Sequence, residues 1–311
     1  MTRRDGDYSS PYSPAHGPVS HVAPTEATLP PLALKSGEIV VKALASGSSG
    51  NAVLVRAGAV AVLIDAGLPG RTLAALLRQH GVAPGELAAI LVSHEHSDHI
   101  AGATVLSRLY HAPVVANKAT LDAVARFSRA RAAHPTLVLP TGGTHHFGAL
   151  SVTTTPTPHD AVESVAFSLT YEGWRMFLAT DLGYDAPDLE KPISEADLIV
   201  LEANHDLETL RQGPYPWPLK NRILGKGGHL SNDQTAALLE RALTRVPARR
   251  RWLWLAHLSG DNNTPRKARE QISLRLDLAG IGREVEIDIA RRDVPSAVWH
   301  NSRLAYQHAL F

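Results

Sequence analysis

The segment His94-Glu95-His96-Ser97-Asp98-His99 constrains this chain more than any other. Four residues of ligand type fall within six positions, directly after the apolar run Ala89–Val92, which reads as a buried strand. In an extended segment, side chains two apart point the same way. His94 and His96 can therefore approach one ion together. The turn that follows would present Asp98 and His99 to a second ion beside it. Burying such groups with no compensating partner is costly, whereas nitrogen and oxygen donors suit zinc, manganese or iron. Six residues cannot fill the shells of two ions, so ligands must come from elsewhere in the chain.

Candidates stand at the ends of other expected strands. His159 follows Leu150–Thr155, Asp181 follows Arg175–Thr180, and His257 follows Arg251–Ala256. Taken singly, a histidine such as His159 or His257 at a strand end is more often a hydrogen-bonded structural residue than a ligand. The chain has no cysteine, which excludes disulfides, iron–sulfur clusters and thiolate zinc sites. Histidine, at 16 residues, is plentiful. Lys+Arg at 31 against Asp+Glu at 30 gives a net charge of +1, so attraction for a polyanion would have to come from a local patch. No stretch approaches the ~18 apolar residues of a membrane span. No apolar block follows Arg3 and Arg4, so the cytoplasm is the expected location.

Residues 1–36, rich in Pro, Ser, Thr and Gly, are expected to form a disordered tail, and residues 37–311 one domain. Strands are expected at Glu38–Ser46, Ala52–Arg56, Val60–Asp65, Val165–Tyr171, Leu198–Leu201 and Glu284–Ile289. Helices are expected at Arg71–His80, Asn232–Leu243 and Pro265–Leu278, with another starting near Ile100. Early meandering strands and later strands alternating with helices suggest an α/β fold of two face-to-face sheets, covered outside by helices. That is a four-layer αββα sandwich. Periodicity alone does not choose it over other α/β folds.

The motif does. His94 to His99 match the His-x-His-x-Asp-His signature, and the chain here resembles the metallo-β-lactamase superfamily. Within it, Leu44–Asn51, Leu63–Gly67, Leu201–Asp206, Gly228–Asn232 and Leu258–Asn263 resemble the YycJ/WalJ-type branch. The resemblance implies that His94, His96 and His159 hold one metal, that Asp98, His99 and His257 hold the other, and that Asp181 bridges them. Asp65 would steady the His-rich loop without touching metal. The ions would be two divalent cations, Zn2+ or Mn2+. The resemblance also implies a nuclease, specifically a 5′-to-3′ exonuclease on DNA, with a nucleic acid as its partner. No protein partner is identifiable.

The expected mechanism uses a hydroxide held between the ions, with Asp98 orienting the nucleophile. His229, paired with Glu202 as in the superfamily's RNA-processing members, would protonate the leaving oxygen. It reads alternatively as a helix cap or a phosphate ligand. Lys220, Arg222 and Lys226 could bind phosphates or form a solvated helix face. Ser48 and Asn51 lie in a glycine-rich loop that could donate N–H groups to phosphate or could simply be a tight turn. Trp217 could stack on a base or pack down its loop. His205 could line the site or satisfy Asp206. Arg249-Arg250-Arg251 is expected to lie away from the site. The same metal site would also serve hydrolysis of a thioester, lactone or β-lactam. The absence of a signal peptide and of a cysteine ligand speaks against the last. A non-catalytic metal-binding module is the reading from another class.

Overall fold

A computed structural model describes residues 34–127 and 133–302. The tail expected over residues 1–36 lies outside the described residues except for its last three positions, as do residues 303–311.

The first sheet contains β1 (Ile39–Ala45), β2 (Ala52–Ala57), β3 (Val60–Ile64), β4 (Leu87–Leu91), β5 (Val114–Ala116) and β6 (Thr136–Val138). The second contains β7 (Thr144–Phe147), β8 (Leu150–Pro156), β9 (Val165–Tyr171), β10 (Trp174–Ala179), β11 (Leu198–Glu202), β12 (Arg251–Ala256) and β13 (Val285–Ile289). A last strand, β14 (Ser296–His300), returns to the first sheet and pairs antiparallel with β1. Each sheet thus has seven strands, ordered β14-β1-β2-β3-β4-β5-β6 and β13-β12-β11-β10-β9-β8-β7. Both sheets are mixed. The pairs from β3 to β6 and from β10 to β13 are parallel, and the rest are antiparallel.

Strand alternation builds three cores from two sheets. In β10, Trp174, Met176 and Leu178 face the other sheet, and Phe177 and Ala179 face outward. Between the sheets, Val41, Val62 and Leu91 share a core with Val152, Phe167 and Trp254. Trp299 of β14 joins them, with its ring 5.0 Å from that of Trp174. The outer face of the first sheet packs on α1 (Gly70–Gln79), through Leu73 and Leu77, and on α3 (Ala103–Tyr110), through Leu106 and Tyr110. Between them lies the short α2 (Ser97–Ile100), and α4 (Lys118–Phe127) follows. Four helices run in order before the last: α5 (Glu190–Glu195), α6 (Leu207–Gln212), α7 (Trp217–Leu224) and α8 (Asn232–Leu243). Together with α9 (Pro265–Leu278), α5 and α8 cover the second sheet through Ile193, Leu238, Leu239, Ile272 and Leu276. These are the four layers of the αββα sandwich. The strands and helices read from sequence reappear within two residues of their expected bounds. One helix differs: it begins at Ser97, ahead of the position near Ile100, and so takes Asp98 and His99 into its first turn.

Parallel strands deliver their C-terminal ends to one edge, which is where α/β sheets place their sites. Here β3 and β4 end at that edge in one sheet. In the other, β10, β11 and β12 do the same, with β8 running in their direction. The loops interlock closely. Gly67, just past β3, lies against the Asp98 backbone, and a Cβ on it would fall 1.7 Å from the Asp98 carbonyl oxygen. Backbone cannot yield as a flexible side chain can. Gly67→Ala is therefore expected to destabilise the protein by at least about 2 kcal/mol. Urea denaturation measures this, and an unchanged midpoint would show that the two loops are not in contact.

Candidate metal centre

The expected ligands enter the site from strand ends, with Asp98 and His99 in the first turn of α2. His94 follows β4, Asp181 follows β10 and His257 follows β12, while His159 sits in the loop after β8. Asp65, Asp181 and His257 adopt left-handed backbone, with φ of 58°, 62° and 53°. Asp and His tolerate this region better than most residues, though at some cost in strain. Departure from the strand's pleat there directs all three side chains into one place. The ligand atoms of His94, His96 and His159 lie within 4.8 Å of one another, and so do those of Asp98, His99, Asp181 and His257. Residues 163 positions apart in the sequence, His94 and His257, thereby share one centre.

The histidine rings are held from behind. Asp65 accepts a hydrogen bond from His99 Nδ1 at 2.8 Å. Glu202 Oε1 accepts from His257 Nδ1 at 2.9 Å, and the Gly228 carbonyl accepts from His159 Nδ1 at 3.1 Å. Carboxylate and carbonyl oxygens have no proton to give, so each Nδ1 carries the hydrogen. Ser93 Oγ gives its single proton to Asp65 at 3.0 Å. It must then accept from His94 Nδ1, also at 3.0 Å. Four rings are thus oriented with Nε2 turned inward, an arrangement typical of metal-bound histidine. His96 brings its Nδ1 to 3.2 Å from His159 Nε2.

This donor set fits divalent cations. His94 Nε2 is buried among imidazoles with no hydrogen-bond partner, a costly arrangement for a lone pair unless a cation meets it. The field has the right sign. Burial opposes charge on His99 and His257, yet the carboxylates around them raise both well above the ordinary histidine range, His257 to about 10. Burial likewise opposes ionisation of Asp181, but His257 and His99 hold it far below the usual carboxylate range. A field that draws protons so strongly also draws metal cations, which compete for the same nitrogens.

Glu202 does more than the sequence suggested. It is fully buried. Its Oε1 meets His229 Nδ1 and His257 Nδ1, both at 2.9 Å. Its Oε2 accepts from the Leu182 and Leu230 backbone at 2.8 and 3.1 Å. Burial alone would favour the neutral acid, but His229 and the other donors lower its pKa to about 2. With four donors already in place, Glu202 acts as an acceptor that braces the site. The overlapping set Asp181, Glu202, His229 and His257 is therefore no third ion site. Burial disfavours charge on His229, and the Glu202 carboxylate outweighs it, so this imidazole binds its proton more tightly than usual.

The centre opens into a cleft of about 390 Å³ lined by Ser48, Asp98, Asp181, Tyr215, Arg222 and His229, among others. Two phosphate-binding expectations need correction here. Lys220 is buried, and its ammonium donates to the Arg211 and Gly213 carbonyls at 2.7 Å, bracing the chain ahead of α7. It cannot also reach the cleft. Asn51 is buried too. Its side chain binds Gly47 and reaches the Asp98 carbonyl, while its N–H donates to that same carbonyl. The N–H groups of Gly47 and Gly50 are used within this turn and that of Asn51 on the Asp98 carbonyl, which leaves them none to offer a phosphate. Arg222 does line the cleft and donates to Asp160 at 2.7 Å. Lys226 is exposed and outside that lining.

His205 is fully buried with neither ring nitrogen hydrogen-bonded, and burial lowers its pKa to about 4. It does not satisfy Asp206, whose carboxylate takes Thr209, Lys267 and Gln271 instead. Trp217 is 66% exposed. Arg249 and Arg250 pair with Asp197 and Glu286, and Arg251 is buried at the start of β12, the end opposite His257. Sequence reasoning missed Ser93, Asp160 and Asn204, the last of which donates to the His257 carbonyl at 3.0 Å. The available signal for Ser93 and Asn204 was a polar residue just past an apolar strand.

Sandwich and donor set together define a metal-dependent hydrolase. A model of the β-lactamase superfamily domain matches residues 61–253. Exodeoxyribonuclease YycJ of Bacillus anthracis is 37% identical over 239 residues, which cover 77% of this chain and 89% of that protein. Exodeoxyribonuclease WalJ of Streptococcus pneumoniae serotype 2, strain D39, is 36% identical over 248 residues, 79% of this chain and 91% of that one. Among solved structures, the metallo-β-lactamase fold protein YhfI from Bacillus subtilis aligns with a TM-score of 0.60 at 19% identity. It covers 85% of this chain and 99% of its own. The chain belongs to the metallo-β-lactamase superfamily and, within it, to the YycJ/WalJ-type branch. No helix among the described residues is long and apolar enough to cross a membrane.

If Asp65 orients His99 for a cation, Asp65→Asn should weaken zinc affinity about 10- to 100-fold. Competition with a chromogenic chelator measures this. Unchanged affinity would mean that His99 is not a ligand.

Proposed function

We propose that this protein is a two-metal phosphodiesterase, a cytoplasmic exonuclease that degrades DNA from 5′ to 3′. The observation that carries the reading is a single cleft lined both by clustered metal donors and by His229, whose Nδ1 rests on the buried Glu202. The names of the B. anthracis and S. pneumoniae relatives, both exodeoxyribonucleases, support the substrate class. The polarity follows the resemblance to their branch.

His94, His96 and His159 would hold one ion, and Asp98, His99, Asp181 and His257 the other, with Asp181 shared between them as the resemblance to the superfamily implies. Bound there, Zn2+ or Mn2+ would acidify water and neutralise charge on the phosphoryl oxygens. Asp98 keeps part of its carboxylate exposed to the cleft, where it can orient a water for in-line attack. His229 gives Nδ1–H to Glu202 and offers Nε2 for proton transfer. Its raised affinity for a proton suits an acid that must stay charged until the leaving oxygen develops negative charge. Ser48 and Arg222, on the cleft wall, supply donors for non-bridging oxygens.

The test uses metal-defined enzyme with end-labelled single- and double-stranded DNA and RNA, products resolved by size. Stepwise loss of mononucleotides from 5′ ends of DNA is expected, with His96→Ala reduced to background. His229→Ala should lower kcat about 10²- to 10⁴-fold while metal content is retained. Robust lactone or thioester hydrolysis with no cleavage of nucleic acid would overturn the reading. So would full activity in His229→Ala, for the proton-donor role.

A further inference from the structure

A second cleft, larger than the first at about 760 Å³, opens beside the metal centre. The two share Ser259. Ser46 lines one and Ser48 the other, across the same tight turn. Four arginines line the second cleft, Arg266, Arg269, Arg291 and Arg292, against one acidic residue, Asp288. That is the local patch of positive charge that a net charge of +1 otherwise conceals.

The arginines are poorly neutralised. Among the described residues, neither Arg291 nor Arg292 has a carboxylate within ion-pair distance. Arg269 stands 3.7 Å from Asp288, and Arg266 reaches Glu270 at 3.6 Å with its side chain 83% exposed. By contrast, Arg249 and Arg250 are tied to acids.

The segment that carries two of these arginines is bolted to the active-site turn. Ser46 N donates to the Arg291 carbonyl at 2.9 Å. Ser49 Oγ donates to Asp293 at 3.1 Å. Arg292 donates to the Leu258 carbonyl at 3.1 Å, next to His257, and lies over Gly47 and Gly260, where a Cβ on Gly260 would crowd it. One N–H of the Arg292 fork is thus used to fix it, and among the described residues the others have no hydrogen-bond partner and can serve a ligand. A concave, arginine-rich surface held rigidly against a phosphodiester-cleaving site suits a polyanion that extends from that site.

We propose that this second cleft binds the backbone phosphates of the nucleic acid strand whose terminal phosphodiester lies at the metal centre. The inference rests on the nuclease reading above and deepens it. The metal cleft, at about 390 Å³, then selects the bond to be cut, and the arginine cleft holds the remainder of the strand without reading its sequence.

The test compares wild type with Arg266→Glu/Arg291→Glu and Arg266→Lys/Arg291→Lys double variants. Both positions are exposed, so the fold should survive either change. Substrates are a long DNA oligonucleotide and a dinucleotide, assayed across a salt series. In wild type the long strand should have the higher kcat/KM. Charge reversal should shrink that advantage about tenfold, and the lysine variant should keep most of it. The slope of log kcat/KM against log salt should fall by about 1.4 to 1.8, the loss of two phosphate contacts. A charge-reversed enzyme with the wild-type length preference and salt slope overturns this proposal alone. A wild type that cleaves neither nucleic acid overturns the nuclease reading, and this proposal with it.

Discussion

Glu202 lies at the junction of three chain segments with no exposure to solvent, and four donors from those segments point at its two oxygens. A buried carboxylate without such partners would be neutral or would drive the fold apart. With them, it fixes the exits of β10 and β12 and the Gly228-His229-Leu230 turn in one geometry. It fixes His257 toward the metal centre and His229 toward the substrate cleft at the same time. Asp65 does the matching work on the other sheet, accepting from His99 and from both groups of Ser93. The ligand set is therefore built outward from two buried acids, one beneath each side of the centre. Strands that end together supply the backbone on which they rest.

Parts of this were legible in the sequence for a definite reason. The ligands His94 to His99 are contiguous, and spacing alone reports their convergence. His159, Asp181 and His257 share a simpler mark, a ligand-type residue after an expected strand. The pairing of Glu202 with His229 came only by resemblance, since nothing in the spacing of 27 residues requires it. Lys220 and Asn51 went wrong because residue type suggested phosphate binding while side-chain direction decided otherwise. Lys220 turns to two backbone carbonyls, and Asn51 closes its own turn. The short strands β5 and β6 and the polar β7, Thr144-His145-His146-Phe147, carried too little hydrophobic pattern to be seen. The arginine cleft was hidden for another reason. Its members come from α9 and from the segment after β13, and only the tertiary fold makes them neighbours.

The three levels fit together. Alternation in the strands makes the sandwich, and the sandwich brings parallel strand ends to one edge. At that edge the left-handed residues Asp65, Asp181 and His257 redirect the chain so that acids and imidazoles face each other. The resulting field is strongly attractive to cations, and the rings are already oriented with Nε2 toward the centre. Little reorganisation is then needed when ions bind, which is the condition for a site that stabilises charge in a transition state.

The most direct measurement is anomalous diffraction from crystals of the protein grown with Mn2+ or Zn2+. Two peaks roughly 3.5–4 Å apart are expected. One should be bounded by His94, His96 and His159, the other by Asp98, His99 and His257, with Asp181 touching both. A single ion, or an ion coordinated by Glu202, would contradict it.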